Sequence, residues 1–229
     1  MRSENIIQGK KCYIYKNGVS DTLLIQAIDE HDLEMLDQEV EIIKRAVPNT
    51  SFTLATFLIE DWNNELSPWN APAVFGKADF GSGAEKTLAF ITDTLIPELY
   101  AMEKKKRFYL GGYSLSGLFA LWAAYQTDLF SGIAAVSPSV WFPGWAGYME
   151  SNVIQSPEVY LSLGSKEEKI RNRIMAAVGE NIRRQYELLT DTDTVARCKL
   201  EWNPGNHFVD SERRMAKGFA WLMDRFLSC

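Results

Sequence analysis

Cysteines, histidines and long apolar segments are scarce in this chain, and each scarcity excludes a class of protein. The 229 residues include three cysteines, Cys12, Cys198 and Cys229, which are too few and too scattered for a disulfide framework or a zinc site. No apolar run approaches the length that spans a bilayer, and the first residues lack the apolar core of a secretory signal. We therefore expect a cytoplasmic protein that has no metal centre and does not bind membranes.

Positive charge is also in short supply. The chain has 24 lysine and arginine residues against 30 aspartate and glutamate residues, which gives a formal net charge of −6. A surface of this charge repels a phosphate backbone on average. The one basic run, KKKR at 104–107, is interpreted as the solvated end of a helix. The composition therefore predicts no nucleic-acid partner.

The chain otherwise has the composition of an ordinary globular protein, with 46% hydrophobic and 24% charged residues. Its length suits a single domain over residues 1–229. Strand-like and helix-like segments alternate from end to end, which is typical of an α/β fold with a mostly parallel central sheet flanked by helices. Strands are predicted at 12–15, 22–28, 52–59, 107–113, 132–136, 159–163 and 198–202, and helices at 33–46, 84–104, 115–127, 170–189 and 211–227.

The sharpest signal is the run GGYSLSG at 111–117, where a predicted strand turns directly into a predicted helix. A serine on such a turn projects its hydroxyl above the sheet, and small neighbours let the chain turn. The start of the helix aims free N–H groups at that hydroxyl, as an oxyanion requires. Ser114 is therefore the predicted nucleophile, and a helix cap is the alternative. A second serine turn at 137–139 lacks the glycines and is interpreted as a turn that leads into a helix.

A serine hydroxyl needs a base to act as a nucleophile at neutral pH, and the chain has only two histidines. His207 lies in a Pro-, Gly- and Asn-rich loop between the last predicted strand and the last predicted helix, from which its ring can reach the strand ends. We predict that His207 is the base; a loop histidine without a role is the alternative. His31, in the polar run DEHD at 29–32, is predicted to help cap a helix, with a substrate contact as the second interpretation.

The carboxylate that orients the histidine should lie just past the carboxyl end of a strand, between the serine and the histidine in the chain. The predicted strand at 159–163 ends in glycine and is followed by SKEEK at 165–169. Glu167 is the preferred acid and Glu168 remains an alternative. The glutamate that is not used is predicted to be part of a solvated charged run.

These residues resemble a known family. The GYSLSG turn and the order serine, carboxylate, histidine are similar to those of the α/β-hydrolase superfamily. More narrowly, the chain resembles the esterases that include S-formylglutathione hydrolases, feruloyl esterases and enterochelin-type esterases, since DFGSGA at 79–84 is similar to a Phe-Gly-x-Gly-Ala segment of the first group. The resemblance implies an α/β-hydrolase fold with helices on both faces of the sheet and an esterase activity. From the length we expect no separate lid domain, and the serine chemistry is expected to need no cofactor.

The resemblance also implies two backbone donors for the oxyanion. The first is the N–H of Leu115, and the second is an N–H near Glu30, in the loop after the strand at 22–28. Three departures from the family are visible. Ser116 stands where the usual Gly-x-Ser-x-Gly pattern has its last glycine, the acid is glutamate rather than the commoner aspartate, and AIDE at 27–30 replaces the usual His-Gly of the oxyanion loop.

Tryptophans lie in two predicted loops beside the expected site, one of them the 61–83 segment, which is long enough to be functional. Some of these rings should only pack loops onto the body, but an aromatic wall suits a bulky apolar or planar group. We therefore expect a small-molecule carboxylic ester with an aromatic, sterol-like or medium-length acyl portion. The expected substrate contacts are Asp29, His31, Trp62, Trp69, Trp141 and Trp145.

Other functions remain open at this point. A thioesterase, an acyltransferase or a peptidase uses the same acyl-enzyme, so the residue pattern does not separate them from an esterase. A non-catalytic protein that binds a ligand in the aromatic cleft is the alternative from another class. The sequence also leaves open whether the chain forms a homo-oligomer.

Overall fold

The structure is a computed structural model that describes residues 2–102 and 107–224. Its centre is an eight-stranded sheet with the strand order β1-β2-β4-β3-β5-β6-β7-β8. The strands are β1 (Arg2–Ile7), β2 (Lys10–Asn17), β3 (Thr22–Ile28), β4 (Phe52–Leu58), β5 (Arg107–Tyr113), β6 (Gly132–Val136), β7 (Glu158–Gly164) and β8 (Arg197–Asn203).

Six of the strands, β3 to β8, run parallel to one another, and β1 and β2 add an antiparallel edge beside β4. The mostly parallel sheet is as predicted. The Asn17-Gly18 turn follows β2, but β2 pairs with β4 rather than with β3, the next strand in the chain. All six parallel strands therefore end at the same edge of the sheet.

Helices cover both faces of the sheet. They are α1 (Glu30–Ala46), α2 (Trp62–Glu65), α3 (Ala84–Phe90), α4 (Ile96–Met102), α5 (Leu115–Gln126), α6 (Trp145–Ser151), α7 (Arg173–Ala176), α8 (Val178–Thr190) and α9 (Ser211–Met223). Helices α1 and α9 bury apolar residues against one face, and α3, α5, α6 and α8 do so against the other. In the parts of the chain that the structure describes, no helix combines the length and the apolar character needed to cross a membrane.

Two predicted helices are interrupted. The helix predicted over 84–104 is α3, then a π-helical segment (Ile91–Leu95), then α4. Pro97 cannot donate a backbone hydrogen bond and crowds the carbonyl four residues earlier, which explains the irregular turn before it. The helix predicted over 170–189 is α7 and α8, because the Asn172 side chain caps α7 and a new helix begins at Val178.

Other elements were not predicted. Strand β1 is polar and half exposed, as an edge strand often is, and it pairs with β2 through a two-residue turn at Gln8 and Gly9, both with positive φ. Helix α6 was missed, and the 61–83 segment, predicted as an unstructured loop, contains α2 and a bridge between Ala71 and Phe80. The predicted helix ends at 104 and 227, most of the basic run at 104–107, and Cys229 lie outside the described residues.

Candidate active site

The loops at the carboxyl edge of the parallel sheet carry the candidate site. Ser114 directly follows β5, Ser137 directly follows β6, Glu167 lies three residues past β7, and His207 lies four residues past β8. Because neighbouring parallel strands end at one edge, residues that are far apart in the chain meet there. Ser114, Glu167 and His207 all line one cavity at this edge.

The turn between β5 and α5 holds Ser114 in a strained backbone conformation, with φ 60° and ψ −122°. A positive φ in a non-glycine residue costs on the order of 1–3 kcal/mol and is found mainly at functional sites. The turn is tight enough to require a glycine beside it, since a Cβ on Gly112 would lie 2.3 Å from the Ser116 carbonyl oxygen. The predicted succession of strand, sharp serine turn and helix is therefore present.

Ser116, which departs from the usual pattern, is fully buried and donates a hydrogen bond from its Oγ to the Ala27 carbonyl oxygen at 2.9 Å. That bond ties the first turn of α5 to the end of β3. The next residue is also closely packed against the strand, since a Cβ on Gly117 would lie 2.9 Å from the Gly112 carbonyl oxygen. The serine is thus accommodated at the fifth position, and Gly117 supplies the close packing.

His207 and Glu167 form a close polar pair in the site. The Nδ1 atom of His207 lies 2.7 Å from Glu167 Oε2. Tyr113, the residue before the serine, donates a hydrogen bond from its hydroxyl to the His207 carbonyl oxygen at 2.7 Å, and its ring lies 5.2 Å from the imidazole between centroids. The carboxylate fixes the ring through Nδ1 and leaves Nε2 as the nitrogen that can exchange a proton with a substrate or a nucleophile.

The second oxygen of Glu167 is also fully engaged. Its Oε1 accepts hydrogen bonds from the Ser137 hydroxyl and the Gly164 N–H, both at 2.7 Å. Burial by itself raises the pKa of this carboxyl, but hydrogen bonds from His207, Ser137 and Gly164 outweigh burial and hold the pKa of Glu167 below its ordinary value. The group is therefore an oriented carboxylate at neutral pH.

Glu168 faces another part of the molecule. Its carboxylate forms an ion pair with Arg183 at 2.9 Å and packs against Gly179, where an added Cβ would meet Oε2 at 1.9 Å. Of the two glutamates in the charged run, Glu167 is the one joined to the histidine.

The hydroxyl of Ser114 faces the cavity, and its hydrogen-bond partner in the structure is Ser139 Oγ at 3.5 Å. The His207 ring lines the same cavity, with its side chain 29% exposed. Contacts between a catalytic serine and its base are often long without substrate and tighten when substrate binds. The arrangement leaves room for a reacting group above both side chains.

Two residues of the site were missed by the sequence interpretation. Ser137 follows β6 with φ 44° and bonds to the acid, so the 137–139 turn belongs to the site rather than only leading into a helix. Arg214, in α9, places its Nη1 atom 3.2 Å from Glu167 Oε1. The position of Ser137 just past a parallel strand was a usable signal. No sequence signal could predict the contact between Arg214 and Glu167, because that contact depends on how α9 packs against the sheet.

The cavity beside Ser114 has a volume of about 740 Å³ and mostly apolar walls. Trp141 and Phe75 form one side of it, with ring centroids 5.9 Å apart. An apolar cleft of this size can enclose most of a small ligand. The other apolar lining residues are Ile170, Met175, Val178 and Phe208.

The four predicted tryptophans have different locations. Trp141 lines the apolar cavity, and Trp62 lines a smaller space of about 180 Å³ on the other side of Ser114. Trp145 is fully buried and donates to Gln185 Oε1 at 3.2 Å, so the expectation that it contacts substrate is wrong. Trp69 packs on Trp145 and donates to the Pro143 carbonyl oxygen at 2.8 Å, which places it behind the wall of the cavity.

Ser114 also lines the smaller space, whose walls are mixed polar and apolar, and Asp29 and His31 contribute to it. Asp29 caps α1 in a reciprocal pair with Asp32, as the helix-capping interpretation of this run predicted. The cap engages the N–H groups of Asp29 and Asp32, so those of Glu30 and His31 in the first helical turn have no helical acceptor. Glu30 lines a neighbouring polar space with Lys11.

Within residues 2–102 and 107–224, no cluster of His, Cys, Asp and Glu is arranged to hold a metal ion.

Comparisons by sequence find no relative for this chain. No family model matches it. A search of curated proteins likewise finds no match.

Solved structures, in contrast, are similar over nearly the whole chain. The siderophore hydrolase EstA from Aspergillus nidulans superimposes with a TM-score of 0.76 at 18% identity, covering 93% of this chain and 89% of that one. An IroE-like serine hydrolase from Shewanella oneidensis superimposes with a TM-score of 0.81 at 14% identity, covering 97% of this chain and 80% of that one. The enterobactin esterase FES from Shigella flexneri gives 0.71 at 15% identity, covering 97% of this chain and 59% of that one. The chain therefore shares the α/β-hydrolase fold of these structures.

Proposed function

We propose that this protein is a serine hydrolase that cleaves a carboxylic ester through an acyl-enzyme on Ser114. The observation that carries the proposal is one cavity lined by a serine on a strained turn and by a histidine whose Nδ1 lies 2.7 Å from a buried carboxylate. These are the nucleophile, base and orienting acid of a catalytic triad. The fold, which this chain shares with a siderophore hydrolase and an IroE-like serine hydrolase, supports that assignment.

In the proposed first half-reaction, His207 Nε2 takes the proton of Ser114 Oγ as the oxygen attacks the ester carbonyl carbon. The carbonyl oxygen becomes an oxyanion that accepts hydrogen bonds from the Leu115 and Glu30 N–H groups. Collapse of this intermediate breaks the ester C–O bond, and the imidazolium gives its proton to the departing alcohol. Glu167 stabilises the charged ring throughout.

In the second half-reaction, His207 removes a proton from a water molecule, whose oxygen attacks the acyl carbon. The new oxyanion uses the same two N–H donors. The bond to Ser114 Oγ then breaks, the serine regains the proton from the imidazolium, and the carboxylic acid leaves. The protein supplies every group that these steps require.

The shape of the site favours a substrate with two different ends. The cavity that contains Trp141 and Met175 has apolar walls and would hold the acyl portion. The smaller space near Asp29, His31 and Trp62 has a larger share of polar groups in its walls and would hold the alcohol portion. We propose an ester with a bulky apolar or planar acyl group.

A fluorophosphonate probe tests the proposal directly, because it labels an activated serine irrespective of the substrate. We expect labelling of Ser114 in the folded protein, together with turnover of p-nitrophenyl esters. Aryl esters, thioesters and a siderophore ester belong in the same panel, since EstA is described as a siderophore hydrolase. Folded protein that neither labels nor turns over any ester would instead indicate a ligand-binding protein.

Replacing Glu167 with glutamine should lower kcat on the order of 10²- to 10⁴-fold, because an amide does not hold the imidazole in the required tautomer or stabilise its charged form. The matched control is Glu168→Gln, which removes an exposed ion pair with Arg183 and should leave kcat within about twofold of wild type. Initial rates with a p-nitrophenyl ester give both numbers. A loss confined to Glu168→Gln would show that the acid has been misassigned.

Chain-length preference should follow the apolar cavity. We expect kcat/KM for p-nitrophenyl esters to rise up to about fourfold for each added methylene until the cavity is filled. Met175→Trp narrows the cavity and should lower kcat/KM for an octanoyl ester about tenfold while sparing the acetyl ester. Met175→Leu, which nearly conserves volume, is the matched control. Equal losses on both esters would mean that the acyl group binds elsewhere.

A further inference from the structure

Arg214 is a buried arginine, 1% exposed, whose guanidinium contacts the residues around the candidate acid. Its Nη1 donates to Glu167 Oε1 and to the Tyr113 hydroxyl, both at 3.2 Å, and to Ser137 Oγ at 3.3 Å. These acceptors follow or end three different strands, β7, β5 and β6. One side chain from α9 therefore connects three loops of the carboxyl edge.

The second nitrogen of the same guanidinium holds the loop that carries the histidine. Nη2 of Arg214 donates to the carbonyl oxygens of Pro204 at 2.8 Å and Asn206 at 2.9 Å. Asn206 immediately precedes His207, whose own carbonyl oxygen accepts the Tyr113 hydroxyl. The carbonyl groups of Asn206 and His207 are thus both held by hydrogen bonds. Arg214 holds the first and Tyr113 the second.

An arginine suits this position better than a lysine or an apolar side chain. Its planar guanidinium presents donors in fixed directions, whereas a lysine ammonium is a point charge. Burying a charge is costly, and a buried ion pair is often no more stabilising than well-packed apolar residues. The five acceptors around Arg214 therefore indicate that this arginine fixes the positions of the groups it contacts, and does more than stabilise the fold.

We propose that Arg214 is a positioning residue that aligns the Glu167 carboxylate with the His207 loop for proton transfer at Ser114. The inference rests on the proposed hydrolase function. Arg214 acts through its neighbours, because it is buried behind Glu167 and is not among the residues that line the cavity. Its loss should therefore reduce the rate of the chemical steps and leave substrate affinity nearly unchanged.

The lysine variant separates the geometry of Arg214 from its charge. Arg214→Lys keeps a cation beside Glu167 but loses the planar set of donors, so a loss of rate in that variant reports on geometry.

The experiment compares Arg214→Lys, Arg214→Gln and the matched control Arg213→Gln, an exposed arginine one residue earlier in the same helix. Turnover of a p-nitrophenyl ester is divided by the number of sites that a fluorophosphonate titrates, so that unfolded protein is not counted. We expect kcat per site to fall about 10-fold for Arg214→Lys and about 100-fold for Arg214→Gln, with KM within about twofold.

The possible results distinguish a failure of the Arg214 proposal from a failure of the hydrolase proposal. If wild-type protein neither labels nor turns over, the hydrolase proposal itself fails. If wild type is active and Arg214→Lys retains wild-type kcat per site, Arg214 is only structural. Should Arg214→Gln fail to fold, the kcat per site of Arg214→Lys alone decides, since that variant keeps the charge and loses the planar donors.

Discussion

Replacing Ser114 with alanine should abolish ester turnover while leaving the protein folded. The expected loss in kcat is on the order of 10⁵- to 10⁶-fold, the scale at which a nucleophile is removed from a triad. The fold should persist because alanine and serine both carry a Cβ, so the strain at φ 60° is the same in the two proteins. Steady-state kinetics with a p-nitrophenyl ester measures the loss, and thermal unfolding verifies the fold.

Two other serines make this test specific. Ser165 is an exposed serine after β7 at the same edge of the sheet, and Ser165→Ala should have wild-type kinetics and labelling. Ser139 lies 3.5 Å from Ser114 Oγ and is the nearest competing hydroxyl. If Ser114→Ala still reacts with a fluorophosphonate and Ser139→Ala does not, the nucleophile has been assigned to the wrong serine.

Local sequence was sufficient to predict the serine turn and its surroundings. The strand at 107–113 and the start of the next helix at Leu115 agree with the structure to the residue. The reason is physical, since a glycine pair at the end of an apolar strand, shortly before an apolar helix, lets the chain make a sharp turn there. The positions of Glu167 and His207 could be inferred because parallel strands place their following loops at one edge.

Contacts that depend on how whole elements pack could not be inferred in this way. In the sequence, Arg213 and Arg214 are two adjacent basic residues of an amphipathic helix, and only the packing of α9 against the sheet buries the second of them. The tryptophans show the same limit. Trp141 and Trp145 belong to one short segment, but one lines the cavity and the other is fully buried.

The identity of the second oxyanion donor depends on a similar detail. The loop after β3 lacks the His-Gly of the esterases that the sequence resembles, but its capping box leaves the N–H groups of Glu30 and His31 without helical acceptors. Ser116 bonds to the Ala27 carbonyl oxygen just before this loop. The serine that departs from the usual motif therefore fixes the end of β3, from which the proposed donor extends.

Replacing His207 with glutamine should remove nearly as much activity as the loss of the serine. Without the imidazole no group in the site accepts the Ser114 proton or returns it to the leaving alcohol, and kcat should fall on the order of 10⁵- to 10⁶-fold. Reaction with a fluorophosphonate should slow as well, because attack on phosphorus also requires deprotonation of the hydroxyl. Steady-state rates and the second-order labelling rate measure the two effects.

His31, the second of the two histidines, provides the comparison for this variant. It lines the smaller space beside Ser114, where it can contact the alcohol portion of a substrate but is not joined to a carboxylate as His207 is to Glu167. His31→Gln should therefore change KM by no more than about tenfold and leave the labelling rate within about twofold of wild type. If His31→Gln stopped labelling while His207→Gln labelled at the wild-type rate, the base would be His31, and the pair of His207 and Glu167 would have only a structural role.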